Sequence, residues 1–327
     1  MRLITLASTE PEFNLAAEEY IFSHTNDDAV LLWQNKNAVI IGRNQNTLAE
    51  INKETIEKYG ISVVRRITGG GAVFHDLGNV NYSFVSSSQS TDGPDFEKFV
   101  LPIKKALESL GVKAEFSGRN DLLVNGCKIS GNAQHISDGR VLHHGTLLFS
   151  SDLDKMSEVL RVNENKIKSK AIQSVRSRVA NIKDFLPPET DLNAKDFIRF
   201  LEKYLCENYP CSQSALTEDE LLRINELASS KYRTWSWNYG NSPKYAFSSS
   251  AYLSCGTVEI QLDISEGIIK NAAVFGDFFS IKPKEEFISA LIGTEHSVQS
   301  LKSLFNKIDV GNYFIGVNKD ELLRCFF

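Results

Sequence analysis

Residues 65–79 read RRITGGGAVFHDLGN, and this segment is the most informative stretch of the chain. Three consecutive glycines, Gly69 to Gly71, have no Cβ atoms and tolerate positive φ angles, so a ligand can lie directly against the peptide N–H groups. The two preceding arginines carry planar guanidinium groups that bind phosphates and carboxylates. The segment predicts a loop that binds a nucleotide, with a plain surface turn as the simpler alternative.

Two common phosphate-binding signatures are absent from the sequence. No glycine is followed by Lys-Ser or Lys-Thr, as a P-loop requires, and no G-x-G-x-x-G follows a predicted strand. The chain is therefore neither a P-loop protein nor a Rossmann dinucleotide binder.

Length and composition predict an ordinary globular protein of about two domains. The chain has 327 residues, of which 42% are hydrophobic and 24% are charged. Its net charge of −5 gives no electrostatic basis for binding nucleic acid or an anionic membrane. No apolar stretch approaches the ~20 residues that span a bilayer, and no signal peptide is recognisable. The five cysteines, an odd number without a C-x-x-C pair, predict reduced thiols in a cytoplasmic protein.

Hydrophobic periodicity places helices and strands along the chain. Helices are expected at 13–22, 54–59, 95–110, 193–209, 218–229, 284–292 and 298–307. Strands are expected at 31–33, 38–42, 62–66, 79–85, 121–124, 127–133, 140–149, 256–264 and 268–275. The polar segment 163–182 predicts a long surface loop. A serine-rich stretch favours a boundary, so we expect a large domain over 1–243, a linker over 244–250 and a small domain over 251–327.

Asn125-Gly126 is the preferred pair for a two-residue type I′ turn and predicts an antiparallel hairpin within a meander. The turn places Asp121 opposite Ser130, so Lys128 and Asp121 become diagonal neighbours on one polar face, about 7–8 Å apart. An ammonium and a carboxylate at that spacing can hold a phosphate and its Mg²⁺. A solvated surface pair is the alternative, and the hairpin alone leaves both open.

Together with its flanks, the glycine segment resembles the signature of the lipoate–protein ligase A family. Further blocks match in order: FNLA at 13–16 followed by Glu18-Glu19, IGR at 41–43, GRNDL at 118–122, KISGNA at 128–133, HHGTLL at 143–148, SVRSRV at 174–179 and WSWNYG at 235–240. The similarity runs from about residue 10 to residue 275 and on into the small domain. One departure is a shorter hairpin before Lys128 than in some relatives. The resemblance implies an α+β fold with mixed, mostly antiparallel sheets, like biotin/lipoate ligases and class II synthetases, and a small α/β C-terminal accessory domain.

The resemblance also implies roles for individual residues. The implied ATP-binding positions are Arg66, Gly71, Ala72, Val73, Phe74, Asn79, Asn120, Asp121 and Lys128. The implied lipoate-binding positions are Leu15, Ala17, Glu18, Arg66, Thr68, Gly69, His75 and Lys128. A loop with Lys168, Ser174, Arg176 and Arg178 would close over the adenylate. Lys128 would be catalytic, contacting the α-phosphate and the acyl carbonyl, and Asp121 would bind the Mg²⁺ of ATP. His75 has a hydrogen-bonded spacer as its alternative role.

The implied reaction joins lipoate to a lysine of an acceptor protein through lipoyl-AMP. ATP, Mg²⁺ and lipoate would be required, and the acceptors would be the glycine cleavage H-protein or acyltransferase subunits of 2-oxo-acid dehydrogenases. No structural metal is expected, because His143 and His144 are neighbours on a strand and point to opposite faces.

Two other functions compete with ligation. An octanoyl or lipoyl transferase would need an activated thiol, and Cys127 is the candidate, although alternation turns it away from the Lys128 face. A non-catalytic lipoate-binding regulator would need a DNA-binding appendage or a basic stripe, and the sequence offers neither. Biotin ligation is less favoured, since biotin ligases carry a Gly-Arg-Gly-type loop that this chain lacks.

Overall fold

A computed structural model describes residues 1–45, 47–87, 95–117, 120–160, 179–239, 247–265 and 267–327. Its strands are β1 (Arg2–Thr5), β2 (Ala29–Trp33), β3 (Ala38–Ile41), β4 (Ser62–Arg65), β5 (Val73–His75), β6 (Asn79–Ser87), β7 (Glu115–Ser117), β8 (Asp121–Val124), β9 (Cys127–Ser137), β10 (Arg140–Leu148), β11 (Ser212–Gln213), β12 (Phe247–Leu253), β13 (Gly256–Ser265) and β14 (Ile268–Gly276). Its α-helices are α1 (Pro11–His24), α2 (Thr47–Glu50), α3 (Lys53–Tyr59), α4 (Phe96–Ser109), α5 (Leu153–Val159), α6 (Ala194–Asn208), α7 (Glu218–Leu227), α8 (Trp235–Asn238), α9 (Lys284–Leu291), α10 (Val298–Lys307) and α11 (Lys319–Leu323).

The described strands of the large domain form two sheets. The larger has eight strands in the order β11-β1-β2-β6-β10-β9-β8-β7. Within it, β1 pairs in parallel with β2 and β11, and the other neighbours are antiparallel. The smaller sheet, β4-β3-β5, holds the glycine segment in the connection from β4 to β5. This mixed, mostly antiparallel α+β architecture agrees with the one predicted from the sequence.

Apolar layers cover both faces of the larger sheet. On one face, α6 buries Phe197, Leu201 and Leu205, which recur every four residues and so share one side of the helix. A capping box of Asn193 and Asp196 starts this helix. On the other face, α1 packs with β2 and the smaller sheet around a second cluster that includes Leu15. The smaller sheet and the glycine segment are thereby fixed against α1.

The C-terminal domain is the three-stranded antiparallel sheet β12-β13-β14 with α9, α10 and α11 packed around one apolar cluster. The end of β14 and the residues that follow it contact the large domain. The Gly276 N–H donates to the Asn44 carbonyl at 2.6 Å, and the Asn44 side chain donates to the Phe278 carbonyl at 3.3 Å. The Phe279 ring packs on Phe96 of α4 with a centroid distance of 5.6 Å. The two domains therefore meet beside the glycine segment.

The structure differs from the sequence-based prediction at strands β1 and β12, and some predicted segments lie outside the described residues. Residues 247–250, expected in the linker, form the first half of β12. Strand β1 was not predicted. Residues 163–178 of the expected surface loop and 244–246 of the expected linker lie outside the described residues. Within the described parts of the chain, no helix is both long and apolar enough to cross a membrane.

Candidate active site

The two arginines that precede the glycines are buried and have different tasks. The Arg65 guanidinium donates to the carbonyls of Gly42 and Gln45 at 2.9 and 2.7 Å, and its Nε donates to the Trp237 carbonyl at 3.0 Å. All of these acceptors are main-chain groups, so Arg65 ties the smaller sheet to α8 and its neighbours. Arg65 is therefore a structural residue rather than a ligand-binding one.

Arg66 shapes the glycine segment itself. One of its terminal nitrogens, Nη2, donates to the carbonyls of Gly69 and Gly71 at 2.6 and 2.9 Å. Because the C=O and N–H of a trans peptide point in opposite directions, the N–H groups of Gly70 and Ala72 are turned away from the guanidinium. Gly70 has a φ of +89°, which only glycine adopts without strain. The segment is thus a preformed loop, fixed by one arginine.

A cavity of about 130 Å³ lies against this loop. It is lined by Leu15, Trp33, Ile40, Arg66, Gly70, Gly71, Ala72, Val73, His75, Asn81, Asn120, Lys128, Gly131, Asn132, Ala133, His144, Gly145 and Thr146. The lining combines a large apolar surface with two cations, an imidazole pair and backbone from the glycine loop. Such a surface fits a ligand with an apolar body and an anionic head.

A buried hydrogen-bond relay leads from α1 to Arg66 behind the cavity wall. Glu18 Oε1 lies 2.8 Å from His144 Nδ1, and His144 Nε2 lies 2.8 Å from the Thr68 hydroxyl. Arg66 Nε in turn donates to the Thr68 hydroxyl at 2.9 Å. All four side chains are buried, so the Glu18 carboxylate and the Arg66 guanidinium are linked by direct hydrogen bonds through His144 and Thr68.

Glu18, at the α1 end of the relay, has a further hydrogen-bond partner. Glu18 Oε1 accepts a hydrogen bond from the Ser83 hydroxyl at 2.6 Å, and Ser83 Oγ accepts one from Trp33 Nε1 at 3.1 Å. The indole of Trp33 is held in this way while its ring lines the cavity. Burial lowers the pKa of Arg66 to about 10, with the Glu18 charge acting against that shift, so Arg66 remains a cation at neutral pH.

His75 offers a donor to the cavity. The Asn35 side-chain amide lies 3.2 Å from His75 Nδ1, and the Asn35 oxygen accepts from Asn14, so Nδ1 is the accepting nitrogen. The proton then resides on Nε2, which is buried and has no partner among the described residues. Burial lowers the pKa of His75 to about 3, with Arg66 adding to the effect, so the ring is neutral.

Lys128 contacts Asp121 across the β8–β9 hairpin. Lys128 Nζ and Asp121 Oδ1 form an ion pair at 2.8 Å, and each side chain is about one-third exposed. The expected 7–8 Å is the spacing of the two strand positions, which a lysine side chain can bridge; the register of the hairpin differs from the predicted one, because it shifts between Leu122 and Leu123. The bulge pairs Asp121 with Gly131 instead of Ser130, and it turns Ser130 into the buried interior. The absence of a side chain at Gly131 leaves room for the lysine to reach back across the strand.

A network of amides supports the floor of the cavity next to Lys128. The Asn120 side chain donates to the Asn132 carbonyl at 2.5 Å, and the Asn132 side chain donates to the Asn120 carbonyl at 3.0 Å. The buried hydroxyl of Tyr82 donates to Asn132 Oδ1. A Cβ at Gly145 would collide with both Asn132 and Tyr82, so glycine is required at that position. The segment after Gly118-Arg119 is therefore tied firmly to β9.

Comparison with known proteins identifies the family. Residues 10–206 match the model of the lipoyl protein ligase A/B catalytic domain, and residues 242–326 match that of the bacterial lipoate protein ligase C-terminus. Lipoate–protein ligase 1 of Staphylococcus aureus is 41% identical over 318 residues, which cover 97% of this chain and 96% of that protein. The chain belongs to the lipoate–protein ligase family. The family predicted from the sequence motifs is thereby confirmed.

Two solved structures of lipoate–protein ligase relatives support the fold. The crystal structure of P. falciparum LipL1 in complex with lipoate has a TM-score of 0.79 at 25% identity, and covers 99% of this chain and 98% of that one. The crystal structure of lipoate-protein ligase A bound with ATP has a TM-score of 0.62 at 30% identity, and covers 73% of this chain and 98% of that one. The predicted fold class is confirmed by these matches.

The structure of this lipoate–protein ligase family member divides the predicted site residues into three groups. Those in the cavity lining are Leu15, Arg66, Gly71, Ala72, Val73, His75, Asn120 and Lys128. Those outside the lining are Ala17, Glu18, Thr68, Gly69, Phe74, Asn79 and Asp121. The predicted closing-loop residues Lys168, Ser174, Arg176 and Arg178 lie outside the described residues.

Several residues of the second group form hydrogen bonds with residues of the cavity lining. Glu18 and Thr68 belong to the relay, and Asn79 Nδ2 donates at 2.9 Å to Asn81, which is in the lining. The Phe74 side chain is buried with Val39, Ile41 and Leu148 and is not in the cavity lining. Strand alternation gives the reason, because Val73 and His75 take the cavity side.

Sequence reasoning missed His144 and Trp33 as site residues. His144 was considered only as one of a metal-binding pair, and its partners Glu18 and Thr68 are 126 and 76 residues away in the chain. The available signal was strand alternation, which separates His144 from His143. His143 stacks on Phe99 at 5.3 Å in the core, so His144 must face the other side.

Proposed function

We propose that this protein ligates free lipoate to a lysine of lipoyl-acceptor proteins in two steps, through lipoyl-AMP. The observation that carries the proposal is the composition of one cavity wall. Apolar Leu15, Trp33 and Ile40 share the cavity with the cations Arg66 and Lys128 and with the glycine loop. An apolar acyl chain with a carboxylate head and a nucleotide phosphate require these two kinds of surface side by side.

In the first step, a lipoate carboxylate oxygen attacks the α-phosphorus of ATP, and pyrophosphate leaves. Lys128 Nζ stabilises the charge on the phosphoryl oxygens, an electrostatic contribution typically worth several kcal/mol. Before ATP binds, the ion pair with Asp121 keeps Nζ at the cavity rim. The neutral His75 donates its free Nε2–H within the cavity and helps to orient the bound acyl substrate.

Mg²⁺ is expected with ATP, and the residues present fit that ion. Asp121 is a carboxylate at the site whose second oxygen is not used by Lys128, and Mg²⁺ in ATP enzymes is commonly held by one or two carboxylates plus substrate phosphates. Asp121 and the ATP phosphates would hold the ion, which would neutralise charge on the triphosphate. Among the described residues, no three His, Cys, Asp or Glu side chains cluster around a common point.

In the second step, the ε-amine of the acceptor lysine attacks the acyl carbonyl, and AMP leaves. The amine must first lose a proton, because its ordinary pKa near 10.4 leaves few neutral molecules at pH 7. Lys128 remains beside both the phosphate and the carbonyl and offsets charge in this step as well. The glycine cleavage H-protein and the acyltransferase subunits of 2-oxo-acid dehydrogenases are the proposed acceptors, and the cytoplasm is the proposed location.

The competing transferase mechanism is not favoured by the position of Cys127. This residue pairs with Val124 at the hairpin turn and is not in the cavity lining. A thioester at its sulfur would therefore form outside the cavity that holds the acyl chain.

The test is lipoate-dependent exchange of labelled pyrophosphate into ATP, measured without any acceptor. Exchange in the wild-type protein that is lost in Lys128→Ala supports adenylation by this site. Biotin in place of lipoate is the matched substrate control and should give no exchange. A folded protein that binds lipoate yet catalyses no exchange would exclude adenylation as its own activity.

A further inference from the structure

Two of the five cysteines lie side by side, away from the cavity described above. Cys206 is in the last turn of α6, and Cys211 directly precedes β11. The Cys211 thiol donates to Cys206 Sγ across 3.9 Å. Both residues are only partly buried, so a small reagent can reach them. Neither takes part in the lipoate or ATP site.

The geometry of this pair suits a covalent bridge. A disulfide has an S–S length of about 2.05 Å, so the two sulfurs, now 3.9 Å apart, must approach by about 1.9 Å. Both side chains are partly buried at the border of the apolar cluster under α6, so rotation about their Cα–Cβ bonds has to supply that movement. The turn that joins them is short and fixed by a 2.7 Å hydrogen bond from the Cys211 N–H to the Tyr209 carbonyl.

The other cysteines lack this arrangement. Cys255 and Cys325 are fully buried, and burial raises the pKa of the Cys325 thiol to about 12. Cys127 is at the β8–β9 turn, without another thiol beside it among the described residues. Only the Cys206–Cys211 pair combines accessibility with a neighbouring thiol.

We propose that Cys206 and Cys211 form a reversible disulfide when the protein meets a small-molecule disulfide such as oxidised glutathione. The Cys206 thiolate attacks one glutathione sulfur and releases one glutathione thiol. Cys211 then loses its proton and attacks Cys206 Sγ, and the second glutathione thiol leaves. Two cysteine thiols are oxidised, one glutathione disulfide is reduced to two thiols, and an excess of thiol reverses the exchange.

The order of attack follows from the surroundings of the two thiols. Burial and the contact with Cys206 raise the pKa of Cys211 to about 11, so its thiolate is scarce near neutral pH. Cys211 serves better as the resolving thiol, because the mixed disulfide holds its target sulfur next to it. The resolving attack by Cys211 is then expected to accelerate with rising pH.

The bridge would act on the edge of the large sheet. Ser212 follows Cys211 and pairs with Arg2, and the Met1 ammonium donates to the Pro210 carbonyl at 3.2 Å. A disulfide would therefore fasten this edge strand and the first residues of the chain to the end of α6. Closing so small a ring is expected to raise Tm by about 3 °C and to slow amide hydrogen exchange at Ser212 and Ser214.

The experiment treats the full-length protein with oxidised glutathione at pH 8, blocks free thiols by alkylation and maps the peptides by mass spectrometry. The expected product has lost two hydrogens, with Cys206 linked to Cys211, and dithiothreitol restores the free thiols. Cys211→Ser should stop at a glutathione adduct on Cys206, whereas Cys206→Ser should leave Cys211 largely unreacted, because the Cys211 thiolate is scarce. Cys127→Ser is the matched control and should form the bridge as the wild type does.

Two results with the wild-type protein alone would overturn the proposal. One is an accumulation of stable glutathione adducts on Cys206 or Cys211 without a bridge. The other is a failure of both cysteines to react while Cys127 does. Neither outcome depends on the folding of a variant or on ligase activity.

Discussion

Thr68→Val is the sharpest test of the relay behind the cavity, because it removes one oxygen and keeps the shape of the side chain. Thr68 is fully buried and is hydrogen-bonded to both Arg66 Nε and His144 Nε2, at 2.9 and 2.8 Å. Valine leaves both of these nitrogens without a partner in the interior. The substitution therefore breaks the link between the Glu18 carboxylate and Arg66.

The size of the effect follows from the two lost hydrogen bonds. A hydrogen bond to a charged group is worth about 1.5–3 kcal/mol, and a neutral one about 0.5–1.5 kcal/mol. Arg66 keeps its bonds to the carbonyls of Ile40, Gly69 and Gly71, so the glycine loop stays attached. We expect the free energy of unfolding to fall by about 2–4 kcal/mol. A misalignment of Arg66 costing about 1.4 kcal/mol would lower kcat/KM for pyrophosphate exchange about tenfold.

Urea unfolding and lipoate-dependent pyrophosphate exchange measure the two effects separately. Thr68→Ser is the matched control, since it keeps the hydroxyl and loses only a methyl group, and it should remain within about 1 kcal/mol of the wild type. If Thr68→Val proves as stable and as active as the wild type, or if serine is as damaging as valine, the relay has no energetic role.

Three further predictions concern catalysis and pH. Lys128→Ala should abolish both half-reactions. Lys128→Arg should be nearly as damaging, because a planar guanidinium replaces a compact ammonium group. Single-turnover assays of adenylate formation and of acyl transfer test both variants. Cys127→Ser should retain full transfer activity in the complete ligation assay, and a loss would revive the thioester mechanism. The pKa of His75 is about 3 in the folded protein and about 6.5 when unfolded, so its contribution to stability is present above pH 6.5 and lost as pH falls towards 3. Between pH 7.5 and pH 5, this should lower the free energy of unfolding by about 2 kcal/mol more in the wild type than in His75→Gln, measured by urea titration at each pH.

The fold was predictable where local chemistry decides the backbone. Asn125 has a φ of +51°, as the turn pair Asn125-Gly126 predicts, and the β8–β9 hairpin follows from it. The helix predicted at 193–209 is likewise found as α6, to within a residue at each end. In these places, turn preference or side-chain spacing is sufficient without knowledge of distant partners.

Prediction failed where distant partners decide. Strand β1 has four residues and exists because it pairs with β2 and β11, whose sequences lie far from it. Residues 247–250 of strand β12 were taken for a linker because three of them are consecutive serines, so their composition resembles that of a loop, although they lie on an edge strand. The bulge in the β8–β9 hairpin has no sequence signal, and it changes the partner of Asp121 from Ser130 to Gly131.

The three glycines are required partly for reasons that the sequence argument did not include. The sequence argument held that glycines let a ligand approach bare peptide groups. Yet a Cβ at Gly69 would lie 2.6 Å from the Phe278 carbonyl oxygen, and Gly70 needs its positive φ beside the Phe279 ring. Only at Gly71 is there room, since an added Cβ would meet nothing nearer than Asp277 at 4.0 Å. Gly69 is therefore required by its contact with the C-terminal domain, and Gly70 by its backbone conformation. A substitution at Gly71 would clash with neither, so its effect on activity would show whether a ligand lies against the loop.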